Sequence, residues 1–164
     1  MFHITGKHMF FPWSYFLRWN CIRCGHCCIA LRVHLTKDEA TYFRKKYGDV
    51  VETINGKYVL KHKQEGGCIF LNFKNGIAEC KIYKDRPIAC QLFPFYVRPS
   101  QDITDLTEKI KEESKFVHRS KTYYVFVSNI CQGLGRGPPI IYAVKRAVKL
   151  KSKHMQHNEK DNMV

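Results

Sequence analysis

Apolar residues recur at helical spacing in two places. In "IIYAVKRAVKLKSK", Ile141, Val144 and Val148 fall on one side and Lys145, Arg146 and Lys149 on another, which predicts a basic amphipathic helix over residues 138–152. In "SQDITDLTEKIKEESK", Ile103, Leu106 and Ile110 share a face and predict another amphipathic helix. The run "TYYVFVSNI" reads instead as a strand that leads directly to Cys131. Local signals place further elements. Thr36 and Glu39 have the spacing of a capping box, with Leu35 just before them and Gly48 as a stop, so a helix is expected over Lys37–Tyr47. Asn55-Gly56 and Asn75-Gly76 each sit between β-prone runs and predict two antiparallel hairpins. Asp85 is expected to cap a helix through "RPIACQLF", with Pro87 in its first turn, Cys90 inside it and Pro94 ending it.

The segment Met9–Leu17, "MFFPWSYFL", is apolar but carries a proline and is about half the roughly 20 residues that a membrane span needs. It reads as a core-packing arm over residues 1–18, with docking at a membrane interface as a lesser alternative. There is no internal repeat and no evident second-domain boundary. Residues 153–164 are expected to be a disordered tail.

At 164 residues the chain can bury a core of its own, so its cysteines are not needed merely as staples. The first residues contain no continuous apolar run and no small-residue cleavage site, which predicts a cytoplasmic, reducing location where disulfides are disfavoured. Lys plus Arg number 28 against 14 Asp plus Glu, a formal net charge of +14. Such a surface attracts anions, but this concerns encounter rather than chemistry, and specific nucleic-acid binding is possible but not favoured on charge alone.

The chemistry lies in "WNCIRCGHCC", where Cys21, Cys24, Cys27 and Cys28 fall within eight positions. Tight turns in C-x-x-C bring two sulfurs to the same side, and "CIRCGHC" extends this to three, so Cys21, Cys24 and Cys27 are the first candidate ligands. The spacing is that of ferredoxin-type runs, which take a fourth thiolate from farther along the chain. Cys68, Cys80, Cys90 and Cys131 are the candidates. Cys28 is a poor fourth because adjacent side chains diverge, and it is expected to turn toward other cysteines. Four thiolates also suit Zn(II), although zinc ribbons usually supply two separated knuckles.

Taken in order, "CIRCGHCC", "GGCIFLNFKNGIAECKIYKDRPIACQLFPF" and "CQGLG" resemble the CxxCxxCC-type family of zinc- or iron-chelating domains, also described as iron–sulfur-cluster-containing proteins, over about residues 19–137. The resemblance implies a metal-binding domain there, with Cys21, Cys24, Cys27, Cys28, Cys68, Cys80, Cys90 and Cys131 as its metal-binding cysteines. It leaves iron or zinc open. The chain departs from the family's frequent Cys-Pro-Gly at Cys131-Gln132-Gly133. Flagellin lysine methylases use a related domain, but this chain is little more than the cysteine domain, and methyl transfer is not carried over.

Arg86 lies between Cys80 and Cys90, where its guanidinium could donate to cluster sulfur or clamp a carbonyl of the loop. "GLGRG" reads as a loop that lets backbone approach the metal centre, ahead of a phosphate cradle. His26 could replace a thiolate, but with so many thiols its use is unneeded. No Ser-His-Asp set, Walker loop, HExxH helix or paired-carboxylate site is present.

The expected molecule is therefore a small single α+β domain, two hairpins and short helices wrapped around a cysteine-ligated metal centre. A 4Fe–4S cluster at one or two sites, serving electron transfer or a redox accessory role with a redox partner protein, is the leading reading. A zinc-stabilised module for nucleic acid or an acidic protein, and the metal subunit of an enzyme, are the alternatives. The fourth ligand of the first site is expected from Cys80 or Cys90.

Overall fold

A computed structural model describes the backbone of residues 8–161 and the side chains of residues 8–156. Residues 1–7 of the expected arm and 162–164 of the expected tail lie outside the described residues. The fold is α+β and forms two compact units, one from the described residues up to Asn20 with those from Leu92 on, the other from Cys21–Gln91. In chain order the first unit begins with strands β1 (Phe10–Pro12) and β2 (Arg18–Trp19). The second unit follows with α1 (His26–Ala30), α2 (Lys37–Tyr47), β3 (Val51–Ile54), β4 (Lys57–Leu60), β5 (Leu71–Lys74), β6 (Ile77–Cys80) and α3 (Ile88–Leu92), which runs to the boundary. The chain then completes the first unit with β7 (Phe95–Pro99), α4 (Glu108–Ser114), β8 (Lys115–His118), β9 (Lys121–Ser128), β10 (Leu134–Pro139) and α5 (Ile140–Asp161).

The second unit follows its local signals closely. Thr36 Oγ1 accepts from the Glu39 amide at 3.1 Å while Glu39 Oε2 accepts from the Thr36 amide at 3.0 Å, closing the capping box. Both hairpins form at their Asn-Gly pairs, which adopt the left-handed φ values of a type I′ turn, 49° and 74° at Asn55-Gly56 and 52° and 77° at Asn75-Gly76. α2 and the hairpins enclose a core of Phe43, Val51, Leu60, Phe70, Leu71 and neighbours, with Phe43 and Tyr47 stacked and Tyr47 edge-on to Phe70.

In the first unit the strand expected before Cys131 is the centre of a four-stranded antiparallel sheet. β7 pairs along one edge of β9, and β1 and β8 share the other, β1 opposite Phe126–Ser128 and β8 opposite Lys121–Tyr124. α5 covers one face of this sheet through Ile140, Ala143, Val144, Ala147 and Val148. Val144 and Val148 of the expected stripe are fully buried, Ile140 takes the place expected for Ile141, which lies at the rim, and Lys145, Arg146 and Lys149 are exposed as the pattern predicts. Trp13 and Phe16 of the arm pack against the same core. Among the described residues, no helix is long and apolar enough to cross a membrane.

Four expectations are corrected. The helix predicted from Ser100 is shortened to α4, because Thr107 caps it and Arg98 holds the preceding segment through the Asp102 carbonyl and the Asp105 carboxylate. Asp85 does not cap a helix: it lies in a 3₁₀ turn, Tyr83–Asp85, and binds α2 side chains. "GLGRG" is part of an irregular strand pairing rather than a loop. A Cβ on Gly133 would lie 2.0 Å from the Asn20 carbonyl oxygen and one on Gly137 2.5 Å from Asn20 Cβ, so these glycines admit backbone against the β2 end. Finally, the backbone of α5 continues to Asp161, since nothing between Lys153 and Asp161 is a glycine or proline that would end it.

Candidate metal centre

The cysteine motif is shaped by Gly25. Its φ of +73° is left-handed, and a Cβ there would sit 2.9 Å from both Ala78 Cβ and Phe73 Cζ. Glycine therefore lets the motif lie directly on the β5–β6 hairpin, where the Ala78 amide donates to the Arg23 carbonyl at 2.9 Å. The chain turns there into α1, which carries Cys27 and Cys28. A second strap ties Cys68 to this helix: its amide donates to the Cys28 carbonyl at 2.8 Å, and the preceding Gly67 holds a φ of +81°.

Cys80 ends β6, and Cys90 is carried by α3. That five-residue helix is fixed from outside. Glu39 Oε1 accepts from the Ile88 amide at 2.7 Å, so one carboxylate caps both α2 and α3. The 3₁₀ turn before it is moored to α2 through Asp85, which accepts from Tyr47 Oη at 2.5 Å and from Lys46 Nζ. Arg86 stacks on Tyr83 with Cζ 3.9 Å from the ring centroid and donates from Nε to the Tyr83 carbonyl at 3.1 Å. Of the two roles considered for Arg86, carbonyl clamping is the one this geometry displays.

Electrostatics identify the thiols that gather. Cys90 is pushed up to about 12, first by burial and then by the negative charges that Cys68, Cys80 and Cys27 would carry, while Arg86 opposes the shift. Cys68 is raised mainly by burial, with Cys80 adding to it. Cys27 is raised by its contact with Cys28, whose Sγ lies 4.0 Å away, and then by burial. Cys28 and Cys80 also pack on the margin of the core that contains Cys68. Cys27, Cys28, Cys68, Cys80 and Cys90 thus share one neighbourhood.

The other three sit differently. Cys21 is exposed and Cys24 half-buried on the loop before Gly25, while Cys131 belongs to the first unit and accepts from Trp19 Nε1 at 3.2 Å. His26 heads α1. No disulfide joins any of the eight cysteines. Among the described residues, no three His, Cys, Asp or Glu side chains stand in an arrangement preformed for a metal ion.

The fit to a metal rests on donor chemistry. Glu39 and Asp85, the carboxylates near Cys90 in sequence or contact, are committed to helix amides and to Lys46 and Tyr47. What remains is a set of thiols, among which burial and neighbouring sulfurs disfavour deprotonation of Cys27, Cys68 and Cys90, and a thiophilic cation relieves both effects. Soft sulfur ligands select zinc or iron over magnesium or calcium. The positioning roles of Gly25, Gly67 and Glu39 were not apparent from spacing. Only the glycines bordering cysteines, in "CGHCC" and "GGC", carried a signal.

A family model described as "CxxCxxCC: Putative zinc- or iron-chelating domain" matches residues 20–132. An uncharacterized protein of Methanocaldococcus jannaschii is 38% identical over 103 residues, which cover 57% of this chain and 54% of that protein. The chain thus spans about half the length of this relative. No solved structure matches the chain.

Proposed function

The chain belongs to the CxxCxxCC family of zinc- or iron-chelating domains, and on that premise we propose that it is a small iron–sulfur protein acting in electron transfer or as a redox accessory in a reducing compartment. The observation that carries this reading is the gathering of thiols in the second unit: Cys27 and Cys28 of α1 lie 4.0 Å apart, Cys68 is tied to the Cys28 carbonyl, Cys28 and Cys80 pack on the core that holds Cys68, and the charges of Cys68, Cys80 and Cys27 bear on Cys90 of α3. Cys27 supplies one ligand from the ferredoxin-type triple, with Cys21 and Cys24 on the same short loop, and Cys90 or Cys80 supplies the distant thiolate that such runs need. Cys28 and Cys68 serve a second site or the margin of the first, and Cys131, in the other unit, completes the eight metal-binding cysteines of this reading. The cluster, a 4Fe–4S centre in this reading, supplies reversible one-electron chemistry. The protein's own part is to bury the thiols, fix α3 through Glu39, and place the Arg86 charge where it favours the Cys90 thiolate.

The test is anaerobic purification, followed by iron, acid-labile sulfide and zinc per chain, and by electron paramagnetic resonance during a redox titration. Iron and sulfide in equal amounts, with a signal that appears and disappears reversibly, is the expected result. A colourless protein with stoichiometric zinc and no sulfide overturns the iron reading. An iron–sulfur centre that cannot be cycled overturns the electron-transfer role.

A further inference from the structure

α5 carries a feature that a metal centre does not use. Tyr142, Lys145, Arg146, Lys149 and Lys153 follow one another at helical spacing on its exposed side, Tyr142 being 54% exposed. Among the described residues Lys145, Arg146 and Lys149 form no ion pair. The next turn of the same side does not end in open solvent. Ser152 and Gln156, three and seven positions beyond Lys149, line a cleft of about 340 Å³ with Ser100, Gln101, Lys121 and Thr122 from the ends of β7 and β9. The row of cations therefore leads into a recess lined by hydroxyl and amide groups and by Lys121, with Pro99 and Met155 also in its wall.

We propose that this stripe and cleft form a docking track for a single polynucleotide strand, its phosphates along Lys145, Arg146 and Lys149 and one base or ribose in the cleft. Two observations select this occupant. A lipid surface would need an apolar face to insert, but Ala143, Val144, Ala147 and Val148 are spent on the sheet. The cleft lining both donates and accepts hydrogen bonds, which matches a base edge or ribose hydroxyl. All the groups involved belong to the first unit, so the proposal stands apart from the identity of the metal.

The experiment uses the full chain as purified with its metal. Fluorescence anisotropy is read with labelled single strands of RNA and DNA of about 20 nucleotides, with the matching duplex, and with heparin and polyglutamate as polyanions lacking bases. Single strands should bind at about 50 mM salt and lose affinity steeply as salt rises. Joint replacement of Lys145, Arg146 and Lys149 by alanine should weaken strand binding roughly tenfold or more and reduce the logarithmic salt slope by about 2. Ser152→Leu, which fills the cleft, should weaken single strands while leaving heparin unchanged. Circular dichroism and metal content should stay at wild-type values in both variants, since every replaced side chain is exposed or at the cleft edge. Absence of strand binding, polyglutamate binding as tightly as either strand, or a triple variant that binds normally would each overturn the proposal. A normal Ser152→Leu variant would remove the cleft from it. RNA preferred to DNA would assign the recess to a ribose hydroxyl, in support.

Discussion

The two units are stabilised by different means. In the first, Val125, Val127, Val144 and Val148 are fully buried between a sheet and a long helix, a core that needs nothing else. In the second, two-stranded hairpins and short helices enclose a core of aromatic and aliphatic side chains that also holds Cys68, with Cys28 and Cys80 packed on its margin. Isolated two-stranded hairpins are marginally stable in water. The difference teaches where a metal would matter: if the thiols of the cysteine unit hold it as proposed, metal binding and stability should be coupled in that unit and separate in the other.

The largest effect should come from removing the metal. Chelation is expected to open the second unit, which hydrogen–deuterium exchange would report as lost protection in β5, β6 and α3 while β9 and α5 stay protected. Equal loss in both units would break the comparison. Next is Phe43→Ala, at the centre of the second unit's aromatic cluster and 2% exposed, expected to cost about 3–5 kcal/mol by thermal or denaturant unfolding. Gly25→Ala should cost about 1–3 kcal/mol, because it combines a left-handed backbone with a 2.9 Å clash, and should lower metal affinity as the motif lifts from Phe73 and Ala78. Glu39→Ala removes the side-chain acceptor of the Thr36 and Ile88 amides, and so a cap from two helices, expected to cost about 1–2 kcal/mol. Glu39→Gln, which keeps an acceptor, should recover part of both stability and metal affinity.

The smallest effect is one of pH. Lys46 and then Tyr47 lower the pKa of Asp85 below the usual carboxylate value, so its contribution is complete above that value and fades as pH falls through the lowered one. The melting temperature of Asp85→Asn should therefore differ from wild type at neutral pH and converge with it below about pH 4.

What could be read from sequence follows the range of each interaction. The α2 capping box and both Asn-Gly hairpins are set by residues a few positions apart, and they form as expected. Asp85 misled because its neighbours suggested a cap, whereas the cap of α3 comes from Glu39, which is 49 positions from Ile88. The Gly133 and Gly137 contacts with Asn20 are tertiary in the same way, whereas Arg98, which shortens α4, grips residues only four and seven positions on and escaped the helical pattern for lack of a spacing signal. At the candidate site, residue type was legible and partnership was not. Spacing singled out Cys21, Cys24 and Cys27 as one group, but it could not show that the Cys27 and Cys28 sulfurs lie 4.0 Å apart or that Cys28 and Cys80 pack on the margin of the core that holds Cys68.

The central claim is that this margin is a thiolate metal site, and native mass spectrometry of the chain before and after Cys90→Ser tests it most directly. The account predicts that the wild-type chain carries the mass of a bound metal centre, and that the variant loses it while exchange protection in β9 and α5 persists. The same bound mass in both proteins would contradict the claim.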